Sequence, residues 1–392
     1  MKATESQRPS VAVLLSGREQ FSSYYGGAVA RWTYEVYSLL GDRVAATVFG
    51  FPTRSEDLYP LPHESSKVCR ACAVIARIPL VRRHEETLWL RASIKRLREF
   101  DVVHIHNRPQ WAPALRRMGY RGALILHLHN DHIGHWPGPA LDSLASRLDA
   151  LAVCSNYLRS TFAAKSALLN AKSHVIFNGA NLRSFYPREE VREAKTIFFV
   201  GRLDPEKGVL PLLRAYDLVL EQHPDAKLVI GGTSSFGTHR ETPYVRTVYE
   251  LASSLQEKKQ AAVQFTGYLD HDNDLPLWFQ RATLFACPSL FQEPFGLVNA
   301  EAMACATPVV GSNRGGIPEV LGNTGRLVDP ENAREFSAAI SDLLSRPQHR
   351  NELGRAAYER CRGMFDWRVT AENWMTLLYR VTQGQVSATH YR

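Results

Sequence analysis

The chain has 392 residues, of which 45 % are hydrophobic and 22 % charged, with a net charge of +8. That length is long for one core, so two domains of about 180–200 residues are expected, of ordinary globular composition rather than disordered or fibrous. No apolar run reaches the ~18 residues a membrane span needs, and the polar first ten residues lack the apolar centre of a signal peptide, so a cytoplasmic protein is expected.

Strand-length apolar runs alternate with helix-length segments, the pattern of a parallel α/β sheet. In the first half, strands are predicted at 11–15, 44–49, 102–106, 124–129, 151–155 and 175–178. After the first of them, Tyr25-Gly26-Gly27-Ala28 precedes a helical pattern of Val29, Trp32, Val36, Leu39 and Leu40. Two glycines let a backbone approach a diphosphate, and a helix start favours negative charge. The spacing is not G-x-G-x-x-G, so a nicotinamide or flavin fingerprint is absent, and a Gly-Gly pair also serves many tight turns. Cys69 and Cys72 form a lone C-x-x-C near His63. A zinc site needs about four ligands, so an unremarkable loop or helix is the expectation there.

Residues 82–98 bring together Arg82, Arg83, Arg91, Lys95, Arg96 and Arg98, with Leu88, Leu90, Ile94 and Leu97 at helical spacing. Two readings stand: a basic amphipathic helix on an acidic membrane surface, or a surface helix whose apolar stripe faces the core. Further on, Leu128-His129-Asn130-Asp131 ends an apolar strand. His129 is expected to reach a ligand and His127 to point to the opposite face, with His104 and His106 alternating likewise.

A polar stretch from Ala180 to Lys195 breaks the pattern, which restarts with strands at 196–201, 228–232, 263–267, 284–288 and 308–311. The expected domains are 1–185 and 186–365, each Rossmann-like, followed by a helical segment 366–392 that either ends the second domain or braces the first. Residues 1–185 hold 24 Lys and Arg against 14 Asp and Glu, whereas 186–392 hold 23 against 25. A basic first half suggests an anionic partner. Nucleic acid is not expected, because no aromatic residues interleave with the basic ones. Cys154, Cys287 and Cys305 lie in apolar runs and read as core thiols.

Two constellations in the second half suit a nucleotide-sugar. Gly201-Arg202-Leu203-Asp204-Pro205-Glu206-Lys207-Gly208 follows a strand, and Arg202 and Lys207 can both aim at a phosphate, one as a fork and one as a point charge. A solvated loop with local ion pairs is the competing reading. Residues 288–301 place Glu293 and Glu301 eight positions apart across a Pro-Phe-Gly turn, with main-chain N–H groups near Phe295, Gly296 and Leu297 at a helix start. Asp270, Asp272 and Asp274 alternate in a polar loop and read as a solvated connection.

The runs FFVGRLDPEKG, VQFTGYL and PSLFQEPFGLVNAEAMACATPVVGSNRGGIPEV, with a looser match around Gly26-Gly27, His129, Val153-Cys154-Ser155 with Arg159, and Ile176-Phe177-Asn178-Gly179, resemble the family-4 retaining glycosyltransferases. One departure is Asn181, where relatives often carry Asp. The resemblance implies the GT-B fold, two Rossmann-like domains with parallel sheets facing across a cleft. It also implies retaining, metal-independent transfer from a nucleotide-sugar, UDP-linked by preference, with no cofactor. By similarity Arg202, Lys207, Gly201 and Gly27, with Gly26 beside it, would meet the diphosphate, and Glu301 the ribose. Glu293 with Phe295, Gly296 and Leu297 would hold the sugar and phosphate, His129 would line the sugar, and Gly267 and Tyr268 would meet the base. The acceptor would be a glycan or a lipid-linked glycan of cell-surface polysaccharide or lipopolysaccharide, with peripheral contact to anionic membrane through the basic first domain.

Three other readings use the same residues. A nucleotide-sugar epimerase would bind the donor without an acceptor, and a non-catalytic sugar-nucleotide-binding subunit would bind it without turnover. A phosphorylase would need a lysine for pyridoxal phosphate, and outside the phosphate turn no lysine of the second half reads as a buried strand-end amine.

Overall fold

A computed structural model describes residues 8–15, 19–22, 27–50, 58–65, 85–234 and 242–389. The chain forms two compact units, Met1–Asn178 with Trp367–Arg392, and Gly179–Asp366. The first holds a seven-stranded sheet of β1 (Ser10–Leu14), β2 (Ala45–Gly50), β3 (His63–Ser65), β4 (Val102–His106), β5 (Ala123–Leu128), β6 (Ala150–Val153) and β7 (Ser173–Val175). Its order is β3-β2-β1-β4-β5-β6-β7, with every pair parallel. The second holds β8 (Thr196–Val200), β9 (Lys227–Gly231), β10 (Ala262–Gly267), β11 (Leu284–Cys287), β12 (Val309–Ser312) and β13 (Arg326–Val328). Its order is β10-β9-β8-β11-β12-β13, again all parallel.

These are the two parallel α/β domains that the alternating runs predict. The central strands read as continuous apolar runs because helices cover both faces of a parallel sheet; β5, ALILHL, is buried at all six positions. Two strands escape sequence reading. β3 and β13 are three residues long, mix polar with apolar residues and sit at sheet edges. Such strands form because a neighbour offers an unpaired backbone edge, which no local pattern announces.

Each strand order reverses beside the unit's first strand, between β1 and β4 and between β8 and β11. Doubly wound sheets bind ligands outside the carboxyl ends of their strands at that reversal. The segments after β1, β4, β8 and β11 are therefore where chemistry is to be sought.

The basic segment is a helix, Glu85–Leu97, with Trp89, Leu90 and Leu97 buried. Trp89 packs on Trp111 with ring centroids 5.2 Å apart. Of the apolar stripe, Leu90 and Leu97 belong to the first unit's core, Ile94 is half-buried and Leu88 is exposed, while Arg96 turns outward to Glu64 and Glu99. Gly26, Cys69, Cys72, Arg82 and Arg83 lie outside the described residues. Cys154, Cys287 and Cys305 are buried free thiols, as is Cys361. Among the described residues no helix is long and apolar enough to cross a membrane.

The last helix, Trp367–Thr389, packs on the first helix, Ala28–Leu40. Trp374 is fully buried and its Nε1–H donates to the Tyr37 hydroxyl at 3.1 Å. At the surface Arg43 pairs with Glu372 at 2.8 Å.

Candidate active site

After β8 the chain makes the turn carrying Arg202 and Lys207. Asp204 starts a one-turn 3-10 helix, Pro205–Lys207, by accepting a hydrogen bond from the Lys207 amide at 3.2 Å. Gly208 then takes φ +75°, and a Cβ there would fall 1.9 Å from the carbonyl oxygen of Pro288. Only glycine fits, and the missing side chain lets the turn close on the loop after β11, where Leu290 N–H donates to the Glu206 carbonyl at 2.8 Å.

That closure brings Lys207 Nζ to 2.5 Å from Glu293 Oε1, the same oxygen that accepts from Ser289 Oγ at 3.0 Å. The Glu293 backbone is fixed from the far side. Gly316 N–H donates to its carbonyl at 2.6 Å, and a Cβ on Gly315 would lie 2.3 Å from that same oxygen. Arg202, on the same turn as Lys207, is held by Asp204 at 3.1 Å, its side chain 48 % exposed. The two cations therefore each meet a carboxylate of their own turn or of the facing loop.

Gly201, Gly296 and Gly267 have distinct duties. Gly201 ends β8, where its amide donates to the Gly231 carbonyl at 3.2 Å. Gly296, at φ +85°, starts the helix Leu297–Ala304 behind the buried Phe295, and its carbonyl accepts from the Asn299 amide at 3.0 Å. Gly267, at φ +72°, accepts from Gly232 N–H at 2.7 Å and turns the chain so that Tyr268 is exposed.

Glu301, one turn into that helix, is only 2 % exposed. A buried carboxylate needs a donor, and His271 supplies it, with Nε2 2.6 Å from Glu301 Oε1 and Nδ1 3.1 Å from Asp272. Sequence reading missed His271. Its loop shows only Asp270, Asp272 and Asp274, which form the local turn expected of them, Asp270 Oδ1 accepting from the Asp272 and Asn273 amides. Ser289, Gly315 and Gly316 were missed as well, although the Gly-Gly pair was a signal of close backbone approach.

In the first unit Gly27 caps the first helix. Its amide and that of Ala30 donate to Glu19 Oε1 at 2.9 and 3.2 Å, so a carboxylate occupies the anion position at this helix start. Burial pushes the Glu19 carboxyl above its ordinary range, while the two amides pull it down.

The histidines overturn one expectation. His127 and His129 do not face opposite ways, nor do His104 and His106: all four rings lie on one face, with His104–His106 and His127–His129 centroids each 4.0 Å apart. Residues two apart on a strand share a face, and parallel register sets His106 opposite His127. His104, His106 and His127 are fully buried, His129 half-buried at the strand end.

Hydrogen bonds fix the tautomers of His106 and His129, while neither nitrogen of His127 nor Nε2 of His104 has a partner among the described residues. Thr33 Oγ1 donates to the Val29 carbonyl at 2.9 Å, so it accepts from His106 Nε2–H at 3.2 Å. His106 Nδ1 is then a lone pair that accepts from His129 Nε2–H at 2.9 Å. Burial, with His132 nearby, pushes His129 down to about 3, and burial holds the other three rings well below the ordinary histidine range. One nitrogen each of His104, His106 and His127 come within 4.8 Å of one another, a spacing that suits a divalent ion. However, His106 uses both nitrogens on Thr33 and His129, His104 uses Nδ1 on Tyr37, and the group contains no carboxylate to offset the charge. The cluster is a packed stack of neutral imidazoles under Trp32.

The chain is similar to known proteins over most of its length. Residues 184–360 match the family model of glycosyl transferases group 1, and residues 25–184 match that of glycosyltransferase family 4. Spore coat protein SA of Bacillus subtilis (strain 168) is 32 % identical over 319 residues, covering 75 % of this chain and 81 % of that one. Alpha-maltose-1-phosphate synthase of Mycolicibacterium smegmatis is 34 % identical over 234 residues, covering 53 % and 57 %. Among solved structures, Anabaena Alr3699/HepE in complex with UDP and glucose superposes with a TM-score of 0.71 at 19 % identity, covering 95 % of this chain and all of that one. Sucrose-phosphate synthase from Thermosynechococcus elongatus gives 0.72 at 22 % identity over 97 % of this chain and 100 % of its own. With its two doubly wound sheets and a Lys207–Glu293 pair at the second sheet's reversal, the chain belongs to glycosyltransferase family 4 and is a GT-B glycosyltransferase.

Proposed function

We propose that the protein transfers a hexose from a UDP-sugar, with retention of configuration, to a glycan or lipid-linked acceptor in the synthesis of cell-surface polysaccharide or lipopolysaccharide. The observation that carries this reading is the Lys207–Glu293 pair, with Arg202 on the same turn as Lys207. Negative charge grows on a departing diphosphate, and fixed cations aimed there favour the transition state over the ground state. Arg202 and Lys207 supply that charge, so no metal or cofactor is invoked.

Glu293, with the amides at Phe295, Gly296 and Leu297, takes sugar hydroxyls and phosphate, and Glu301 takes the ribose. Gly201 lets the diphosphate approach β8, and backbone at Gly267 with Tyr268 meets the base. Gly26 and Gly27 serve the diphosphate, which displaces the Glu19 carboxylate from the Gly27 amide, and His129 serves the sugar. His129 is neutral and offers no strong base, so the leaving phosphate oxygen receives the acceptor proton. The UDP and glucose bound by Alr3699/HepE, a protein of the same fold, support a UDP-linked donor. The basic first half supports an anionic acceptor or a peripheral place on the inner membrane face, which binding to anionic liposomes at low salt would test.

A thermal-shift screen of UDP, GDP, ADP and their sugar conjugates tests the donor. A ligand at ~100 times its dissociation constant adds about 2.7 kcal/mol. Stabilisation by UDP-sugars that is lost in Lys207→Ala is the expected result. A larger shift with GDP or ADP conjugates would overturn the base assignment, and no shift with any nucleotide would overturn the donor site.

A further inference from the structure

The second unit has a cavity of ≈ 310 Å³ walled by residues that precede β8, β11 and β12 and by the helix Pro347–Met364. In a parallel sheet these strand starts share one edge, opposite the edge that carries Lys207 and Glu293. Three of the side chains on its wall are Arg192, Arg350 and Arg355.

Their charge is poorly matched. The Nε of Arg350 is shielded from solvent without a hydrogen-bond partner, and among the described residues its guanidinium has no ion pair. Arg192 gives Nη2 to the carbonyls of Cys305 and Ala306 at 3.4 and 3.3 Å, which orients the group without neutralising it. Arg355 comes no closer than 3.9 Å to Glu189. The other carboxylate on the wall, Glu193, is engaged by Arg281 at 2.7 Å. Burial lowers the proton affinity of both Arg192 and Arg350, and Arg350 lowers that of Arg192 further. Half-buried like charges that share a cavity without a carboxylate between them are costly unless an anion offsets them.

We propose that this cavity binds a phosphate monoester, of which a sugar phosphate is the fitting class, with Arg192 and Arg350 gripping the phosphate and Arg355 at its mouth. The planar guanidinium fork matches phosphate oxygens two at a time. The volume lies at the lower end of the ~300–1,000 Å³ of ligand pockets, which leaves room for a small organic part. Because the site is at the other edge of the sheet from the groups assigned to the donor, its ligand binds without displacing nucleotide.

Titration calorimetry with glucose 1-phosphate, inorganic phosphate and sodium chloride at matched ionic strength tests this on the full chain. Glucose 1-phosphate is expected to bind more tightly than inorganic phosphate, to weaken at least tenfold in Arg350→Gln, and to leave UDP affinity unchanged. Equal affinity in wild type and Arg350→Gln, competition with UDP, or no heat from either phosphate would overturn the site. Inorganic phosphate binding as tightly as the ester would overturn the monoester assignment. Should Arg350→Gln fail to fold, Asn351→Asp places a carboxylate at the exposed rim, and unchanged phosphate affinity there would equally overturn the proposal.

Discussion

Lys207 Nζ lies 2.5 Å from Glu293 Oε1, across 86 residues of sequence. The pairing keeps a half-buried cation and carboxylate from standing alone. Lys207→Ala is expected to lower turnover by roughly two to three orders of magnitude, the scale of losing one fixed electrostatic donor. A double-mutant cycle with Glu293→Ala on stability should show coupling of about 1–3 kcal/mol. Near-normal turnover in Lys207→Ala would sink the phosphate assignment.

His271 is the donor to Glu301, and a hydrogen bond to a charged group is worth about 1.5–3 kcal/mol. His271→Ala should weaken UDP binding by roughly tenfold to a hundredfold, and His271→Gln, which keeps an N–H, should recover part of the loss. Calorimetric dissociation constants check this. Wild-type affinity in His271→Ala would mean that the helix alone orients the carboxylate.

Gly208 is held at φ +75° against the Pro288 carbonyl. A side chain there costs about 1–2 kcal/mol for the left-handed backbone before the clash is counted. Gly208→Ala should therefore lower the melting temperature and abolish nucleotide-induced stabilisation together. A variant that melts normally and still responds to UDP would contradict the closure of this turn on the β11 loop.

The buried histidines set the acid limit. His104, His106 and His127 are held below the ordinary histidine value in the folded chain, so as pH falls the unfolded chain takes up protons first. Stability is full above the unfolded value of about 6.5 and declines below it. Once unfolded histidines are mostly charged, three such groups give a slope of about 4 kcal/mol per pH unit. Urea unfolding at pH 7.5 and at pH 5.5 measures this, and equal stability at both would refute it.

Trp374 buries its ring among Trp32, Tyr37 and His104. Trp374→Ala should cost about 3–5 kcal/mol, whereas Tyr379→Ala, on the exposed side of the same helix, should cost little. Comparable melting temperatures for the two variants would show that the helix is not anchored through Trp374.

The active-site turns were legible because their chemistry is local. Gly201 to Gly208 and the segment from Glu293 to Glu301 place glycines where the backbone must bend and charged side chains beside them, all within a few residues. His271 was not legible, because its partner lies 30 residues away and a histidine among aspartates has no pattern of its own. The histidine stack was misread through a simple point of strand geometry, that alternate residues share a face.

By itself the sequence determined two parallel α/β units, most of their central strands to within two residues though not the edge strands β3 and β13 nor the bounds of β7, and the turns that carry Lys207, Glu293 and Glu301, because apolar periodicity and turn residues act over short distances. Only the tertiary structure decided where the last helix belongs, that Lys207 meets Glu293, and that four histidines stack beneath Trp32. Those depend on which surfaces pack together, and a hydrophobic stripe such as Trp367, Trp374 and Leu378 states that a face must be buried without stating against what.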